Sequence, residues 1–258
     1  MKIAIIGAGN MGGAIARGLC KGSVVKPEDI TVSNPSSGKL DALKAEFPTL
    51  NVTHSNTEAA AGADIVMLAV KPWLVEKVIL EIRPTEQQTL VSIAAGVTTR
   101  ELEIYSDNPQ QPCFRVIPNT AISLQQSTTL LACNAWAADK QEALLQLFRE
   151  MGEVFLLPEA KMAAATAMTS CGIAYALKYI QAVMQAGIEL GIYPQDGMKM
   201  VAQSMKGAAE LILKNETHPS VEIDKVCTPG GLTIKGINAL EEQGFTTALI
   251  KAVKASCR

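Results

Sequence analysis

Residues 2–20 read KIAIIGAGNMGGAIARGLC, and their character changes twice along the way. Lys2 to Ile6 is a short apolar run suited to a strand buried on both faces, Gly7 to Gly12 is glycine-rich, and Ala14 to Cys20 begins a helix. The glycines fall as Gly7-Ala8-Gly9-Asn10-Met11-Gly12, a GxGxxG between strand and helix. Gly7 suits the tight turn, and Gly9 leaves room for a dinucleotide backbone. Gly12 allows close helix packing, while the amides at Asn10 and Met11 face a pyrophosphate. A glycine triplet alone is a weak signal. Its place at this junction favours dinucleotide binding over a ligand-free turn.

The same grammar continues downstream. Strand-like runs occur at Ile30 to Ser33, near Val52, at 64–70 (DIVMLAV), Thr89 to Ile93 and Cys113 to Ile117. Helical stretches lie between them at Leu40 to Phe47, Leu74 to Ile82 and Arg100 to Tyr105. Thr128 to Cys133 and Glu153 to Leu157 finish the set, with a helix over Ala137 to Glu150 between them. Short apolar runs alternating with helices predict an α/β domain whose largely parallel sheet is covered on both faces.

After Pro158 the strand-like runs stop, and Ala, Met, Gln, Leu and Lys dominate. The pattern predicts helices over 159–190, 194–214, 220–226, 231–243 and 246–256. Pro194 opens the second, and Thr246 or Thr247 caps the last. Ala163, Ala164, Ala165, Ala167, Ala174 and Ala176 permit close helix contact, with Met162, Met168 and Ile173 adding apolar area. So small a helical domain with so many apolar faces is expected to complete its core against another subunit.

Composition narrows the function. The 258 residues are 48% hydrophobic and 19% charged, with only 2 His. A chain of this length forms one large or two smaller domains and buries roughly 70–75% of its unfolded surface, which excludes disorder. Net charge is -2, from 13 basic and 16 acidic residues through Pro158 and 10 basic and 9 acidic from Glu159. Neither part offers a broad basic footprint, so no nucleic-acid partner is expected. The scarcity of histidine argues against a metal centre. Met162 to Leu177 is uncharged but diluted by Thr166, Thr169, Ser170 and Gly172, which favours a buried helix over a membrane span of about 20 apolar residues. The opening MKIAIIG reads as a folded strand rather than an export leader. Cys20, Cys113, Cys133, Cys171, Cys227 and Cys257 form no CxxC and read as reduced structural thiols in a cytoplasmic setting.

The second strand of a dinucleotide-binding sheet delivers the residue that meets the adenosine ribose. Here VSNPSSGK, 32–39, has no carboxylate there. Asn34, Ser36, Ser37 and Lys39 offer donors or positive charge, so NADPH is the preferred cofactor, with NADH left open.

Five segments together resemble the pyrroline-5-carboxylate reductase family: IGAGNMG at 6–12, VKP at 70–72, VSIAAGV at 91–97, IPNT at 117–120 and VCTPGGLTIKGINALEEQGF at 226–245. The last is the most diagnostic, and the likeness spans nearly the whole chain. The resemblance implies an α/β Rossmann-like NADP-binding domain, 1–158, followed by an all-α dimerisation and substrate domain, 159–258. It implies a homodimer, with assembly into a larger homo-oligomer left open, and an active cleft involving both subunits. By the same resemblance Asn56 contacts the cofactor, Ala69, Val70 and Lys71 border its ribose and nicotinamide side, and Asn119 lies near the reacting ring. Thr228 and the amides around Gly231 and Leu232 take the substrate carboxylate, and the Thr233 hydroxyl hydrogen-bonds the ring nitrogen. Independently of the likeness, the two glycines of Thr228-Pro229-Gly230-Gly231-Leu232-Thr233 at a helix start can present amides to an anion.

The implied reaction is hydride transfer from C4 of reduced NADP to C5 of 1-pyrroline-5-carboxylate, giving L-proline. A protonated imine accepts hydride without a strong enzymic acid, so positioning and proton supply through Thr233 or water suffice. His54 and His218 lack an evident catalytic partner and read as turn or surface packing. Two departures from the family pattern stand out. Ala121 follows IPNT where a proline is common, and 169–175 reads TSCGIAY rather than SGSGPAY, placing Cys171 and Ile173 near the expected pocket. The rival readings are a β-hydroxyacid dehydrogenase-like enzyme using Lys178, which has the apolar Ala182 four residues on, and a noncatalytic NADP-binding sensor.

Overall fold

The computed structural model describes residues 1–257 and divides into two compact units, Met1–Ser170 and Cys171 to the C-terminus. In the first, strands and helices alternate: β1 (Ile3–Ile6), α1 (Asn10–Lys21), β2 (Ile30–Ser33), α2 (Ser37–Glu46), β3 (Asn51–Thr53), α3 (Asn56–Ala60), β4 (Ile65–Leu68), α4 (Val75–Ile82), β5 (Thr89–Ser92), α5 (Thr99–Tyr105), β6 (Cys113–Ile117), β7 (Ser127–Cys133), α6 (Gln141–Arg149), β8 (Gly152–Leu156) and α7 (Met162–Thr169). The eight strands form one sheet in the order β3-β2-β1-β4-β5-β6-β7-β8. Strands β1 to β6 are parallel, whereas β7 runs antiparallel to β6 and parallel to β8. The chain leaves β1 towards β2 and β3, then returns to lay β4 on its other side. That reversal is the topological switch point at which open α/β sheets bind ligands.

Register makes the site possible. Ile6 is paired with both Ser33 and Leu68, and Leu68 with Ser92, so β1, β2, β4 and β5 end level. Gly7, Asn34, Ala69 and Ile93 therefore emerge along one edge. The apolar run of β1 splits by alternation. Ile3 and Ile5 enter a core with Ile15, Leu19, Leu40, Phe114 and Phe148, while Ala4 and Ile6 join Val66, Val78, Ile79 and Leu102 on the other face. Each fully buried large side chain contributes about 1.5–3 kcal/mol relative to exposure.

The second unit comprises α8 (Gly172–Glu189), α9 (Pro194–Asn215), α10 (Pro219–Val226), α11 (Leu232–Glu242) and α12 (Phe245–Ser256). Pro194 and Pro219 open their helices at the first turn, where a missing N–H costs nothing. His218 caps α10, accepting from the Ser220 amide at 3.3 Å. The Tyr175 hydroxyl ties α8 to α12 through the Ala252 carbonyl, 3.2 Å, and Ser256 Oγ, 2.5 Å.

Two expectations need correction. The helix expected over 159–190 is two helices, α7 and α8. Around the break, Thr169 Oγ1 donates back to the Ala165 carbonyl (2.9 Å), Ser170 Oγ donates to the Pro118 carbonyl (2.8 Å), and Gly172 follows. Back-bonding hydroxyls and a glycine weaken a helix at that point. Neither Thr246 nor Thr247 caps α12. Gly244, with φ +72°, makes the entry turn, and Thr246 Oγ1 instead donates to Glu241 at 2.6 Å.

Burial differs sharply between the units. Met162 and Ala167 of α7 are fully buried, Met162 among Ile117, Leu130 and Ala132 of the sheet unit. From Cys171 to Cys257, Gly197 alone is buried, and Leu177, Val183, Leu249 and Ile250 are solvent-facing. An apolar groove of about 870 Å³ runs among Tyr175, Tyr179, Val183, Met205, Leu240 and Leu249. Among the described residues no helix is long and apolar enough to cross a membrane.

Candidate functional site

The turn between β1 and α1 occupies the switch point. Gly7 adopts φ +104° and donates its N–H to the Ser33 carbonyl at 2.8 Å, and a Cβ on it would lie 2.6 Å from the Ala69 carbonyl oxygen. A Cβ on Gly12 would overlap the Gly7 carbonyl and lie 2.9 Å from Ala69 Cβ. These two glycines let turn, helix and β4 touch. Gly9 is different, for no atom lies within 4 Å of where its Cβ would be. It caps α1 without a side chain, and α1 has no acidic residue in its first turn. The first helical bond runs from Gly13 N–H to the Gly9 carbonyl, 2.8 Å, leaving the Asn10, Met11 and Gly12 amides without intrahelical partners. Open space in front of unspent donors at the positive end of a helix dipole fits a pyrophosphate.

Asn34 fastens this turn to the end of β2. Its Oδ1 accepts from the Ala8 amide at 3.1 Å, and its Nδ2 donates to the Ser36 carbonyl (3.0 Å) and hydroxyl (2.9 Å). The His54 imidazole lies 2.9 Å from the Asn34 carbonyl and 3.5 Å from the Ser37 hydroxyl, so it braces the same turn. Asn56, the first residue of α3, is tied as well: Ser33 Oγ donates to its Oδ1 at 2.8 Å, and its Nδ2 donates to Glu81 at 3.1 Å. Ser37 and Lys39 are exposed, and Lys39 has no partner among the described residues. A cleft of about 550 Å³ runs from Gly9, Asn10 and Gly13 to Gly38 and Lys39, with Arg17, Thr120 and Ser123 also on its wall.

Farther along the edge, the Ala69 amide donates to the Ile6 carbonyl at 2.9 Å. Ala69 and Val70 are half-buried and Lys71 is exposed. Asn119 follows β6 and is 8% exposed. Its Oδ1 caps the turn at Thr120–Leu124 by accepting from the Ala121 amide, 3.0 Å, while its Nδ2 has no partner among the described residues.

In the helical unit, Gly230 takes φ +72° and Gly231 caps α11. A Cβ on Gly231 would lie 2.6 Å from Thr228 Oγ1. The Gly231 N–H is already spent on the Thr228 carbonyl at 2.9 Å, so the donors left at this helix start are the Leu232, Thr233 and Ile234 amides and the exposed Thr228 and Thr233 hydroxyls. The Leu232 side chain is 86% exposed.

The cysteines are poor nucleophiles where they are buried. Burial, helped by Glu46, pushes the Cys20 thiol up to about 11, and burial with Glu103 and Glu159 pushes Cys113 up to about 12. All six cysteines are free, and no group of three His, Cys, Asp or Glu among the described residues could hold a metal.

Residues 159–258 match the family model for pyrroline-5-carboxylate reductase dimerisation, and residues 2–96 match that for NADP oxidoreductase, coenzyme F420-dependent. The chain is 35% identical to pyrroline-5-carboxylate reductase of Escherichia coli (strain K12), over 98% of this chain and 94% of that protein. The chain belongs to the pyrroline-5-carboxylate reductase family. Pyrroline-5-carboxylate reductase 1 of Dictyostelium discoideum is 34% identical over 98% of this chain, which spans about half, 48%, of that relative's length. The crystal structure of Plasmodium falciparum pyrroline carboxylate reductase with NADP bound superimposes with a TM-score of 0.90 at 28% identity, covering 100% of this chain and 95% of that one.

For a pyrroline-5-carboxylate reductase family member, the sequence motifs locate the edge of the sheet well. Gly7, Gly9, Asn10, Met11, Gly12, Asn34, Ala69 and Val70 gather there through strand register. Ser36 closes onto Asn34, and Ser37 and Lys39 start α2. Arg17, Thr120 and Ser123 also line the cleft, and the sequence reading did not place them there. For Arg17 a signal existed: Asn10, Gly13, Ala14 and Arg17 recur at helical spacing and so share one face of α1.

Proposed function

We propose that this protein is an NAD(P)H-dependent oxidoreductase that reduces the C=N bond of 1-pyrroline-5-carboxylate to form L-proline, with NADPH preferred. The observation that carries this reading is the 35% identity across 98% of the chain to the Escherichia coli reductase. The glycine cradle supports it physically, because Gly9 leaves open the space that a pyrophosphate needs. The functional division proposed is a cofactor domain, 1–158, and a dimerisation and substrate domain, 159–258, where the dimerisation model begins.

The chain's own groups then have distinct tasks. The Asn10, Met11 and Gly12 amides hold the pyrophosphate, Ser37 and Lys39 meet the adenosine ribose, and Ala69, Val70 and Lys71 border the nicotinamide side. Asn34 and Asn56 act mainly by fixing these loops, since their amides are bonded to protein. Asn119 retains an unpartnered amide donor for the reacting ring. Thr228, Leu232 and Thr233 offer hydroxyls and amides to the substrate carboxylate, Gly231 shapes that turn, and the Thr233 hydroxyl orients the ring nitrogen. The reduced nicotinamide supplies hydride to the imine carbon. The protein's contribution is positioning, as no buried acid is required when the imine arrives protonated.

Among the described residues of the helical unit Gly197 alone is buried, so a second copy laid over its exposed apolar faces would supply the missing core, and the protein is proposed to be a homodimer. The cytoplasm is its proposed location, consistent with six free thiols. The deciding experiment incubates the protein with 1-pyrroline-5-carboxylate and NADPH, follows cofactor absorbance and identifies proline. Turnover of a 3-hydroxyacid instead would favour the dehydrogenase alternative, and cofactor binding without turnover of either would favour the sensor.

A further inference from the structure

Arg17 is the one cation on the cleft wall whose role neither strand register nor the glycine motif explains. Its Nε pairs with Glu46 at 2.6 Å, and its Nη1 donates to the Gly13 carbonyl at 3.2 Å. This hold sets the guanidinium on the face of α1 that also carries Asn10 and Gly13. Five N–H donors minus these two leaves three, and Nη2 has no partner among the described residues. Lys39 lies on the same wall, and no Asp or Glu lines the cleft. Glycines keep it open: nothing lies within 4 Å of a Cβ on Gly9 or Gly38. Glu46 touches Arg17 from outside the lining and leaves Lys39 uncompensated.

We propose that Arg17 and Lys39 form a two-cation clamp for a phosphomonoester on the adenosine ribose, and that Arg17 is the main determinant of preference for the 2'-phosphorylated cofactor. The proposal rests on the cofactor reading above. A fork of guanidinium donors suits a tetrahedral dianion, and the Lys39 ammonium adds a point charge from the start of α2. Glu46 is a positioning residue that fixes the fork without touching ligand. The clamp answers a question the β2 end leaves open, since the Asn34 amide there is bonded to protein and not free to read the phosphate.

The test is calorimetric titration of the full-length protein with 2',5'-ADP, 5'-ADP, NADP⁺ and NAD⁺. Arg17→Gln is expected to weaken 2',5'-ADP and NADP⁺ by about tenfold or more, the size of one charge-assisted hydrogen bond, while the unphosphorylated pair shifts by less than about twofold. Arg17→Lys, which keeps charge but loses the fork, should fall between. Glu46→Gln removes the same ion pair from the other side but leaves the guanidinium in place, so it should loosen the fork and lower the 2'-phosphate preference by less than Arg17→Gln does. Equal losses for both ligand pairs in Arg17→Gln, or an equal fall in preference in Glu46→Gln, would show that Arg17 only braces the helices. If Arg17→Gln does not fold, Arg17→Lys decides on the same ratio. Failure to reduce 1-pyrroline-5-carboxylate would overturn the enzymatic reading while these titrations still decided the clamp.

Discussion

Adding one methyl group at Gly9 or at Gly12, three residues apart in the same turn, should have opposite consequences. At Gly12 the new carbon overlaps the Gly7 carbonyl and sits 2.9 Å from Ala69 Cβ, against an optimal carbon separation of about 3.5–4.0 Å. Both obstacles belong to the strand edge, so α1 must retreat by roughly 0.6 Å or more to relieve the second contact alone. Overpacking of this kind costs about 1–3 kcal/mol, which for a chain of this size lowers Tm by roughly 2–12 °C. At Gly9 the methyl enters open space, and φ of -66° is ordinary for alanine. The apo protein should lose no more than about 1 kcal/mol, the cost of a poorer N-cap. Binding should suffer instead. A pyrophosphate displaced from one charge-assisted amide bond loses about 1.5–3 kcal/mol, or roughly 10- to 150-fold in affinity. Differential scanning calorimetry of both variants, with NADPH titration of each folded protein, makes the comparison. A folded Gly9→Ala protein that binds NADPH like the wild type would refute the cradle geometry, as would a Gly12→Ala protein with unchanged Tm.

Further outcomes follow from individual bonds. Replacing Asn34 by Asp, the obvious attempt at an NADH-preferring enzyme, should fail: a carboxylate oxygen would face the Ser36 carbonyl that Nδ2 now reaches at 3.0 Å. The expected result is a loss of about 1–3 kcal/mol in denaturant unfolding with no gain in NADH use, and a stable NADH-preferring variant would contradict it. Acid should weaken the fold through two carboxylates. The Thr98 amide and hydroxyl hold Glu101 below the usual range, and for Glu150 burial pushes upward but the Ser23 hydroxyl and the Val24 and Ser23 amides outweigh it. Because both folded values are depressed, this stabilisation is full above the unfolded carboxylate value of about 4.3 and is lost as pH falls through the folded values. Tm measured against pH should fall less steeply in Glu101→Gln and Glu150→Gln, and unchanged slopes would deny these groups a role. Thr233→Ala should lower kcat/KM for the imine while NADP⁺ affinity holds, with Thr233→Ser restoring much of the loss. Equal efficiency in all three proteins would remove the hydroxyl from the mechanism.

What could be read in the sequence was whatever local grammar encodes. The GxGxxG and the level apolar runs led to the sheet and its switch-point edge, and the change of composition at Pro158 to the onset of helices, because backbone conformation and burial on both faces impose those patterns directly; the compact sheet unit nevertheless runs on through α7 to Ser170. The direction of β7 was within reach but missed. Only residues 118–126 separate β6 from β7, with a single turn at Thr120–Leu124, and a parallel crossover needs a dozen or more. Other features depend on partners distant in sequence. The break between α7 and α8 involves Ser170 reaching back to Pro118, and the fixed pose of Arg17 depends on Glu46. Likewise, the spending of the Gly231 amide on Thr228 is a matter of turn geometry that residue types alone leave open. The hydrophobic content of the last hundred residues was legible as helix and, in outline, as faces left for another subunit, but not residue by residue. Only three-dimensional burial reveals that Leu177, Val183 and Leu249 lack an internal core to join.

The central claim, that a nicotinamide hydride is delivered to the imine carbon, is most directly tested with cofactor deuterated at C4 on the transferred face. Incubation of the protein with that NADPD and 1-pyrroline-5-carboxylate, followed by mass spectrometry and proton NMR of the product, should give L-proline carrying one deuterium, located at C5. Cofactor oxidation without labelled proline, or deuterium at any other carbon, would contradict the account.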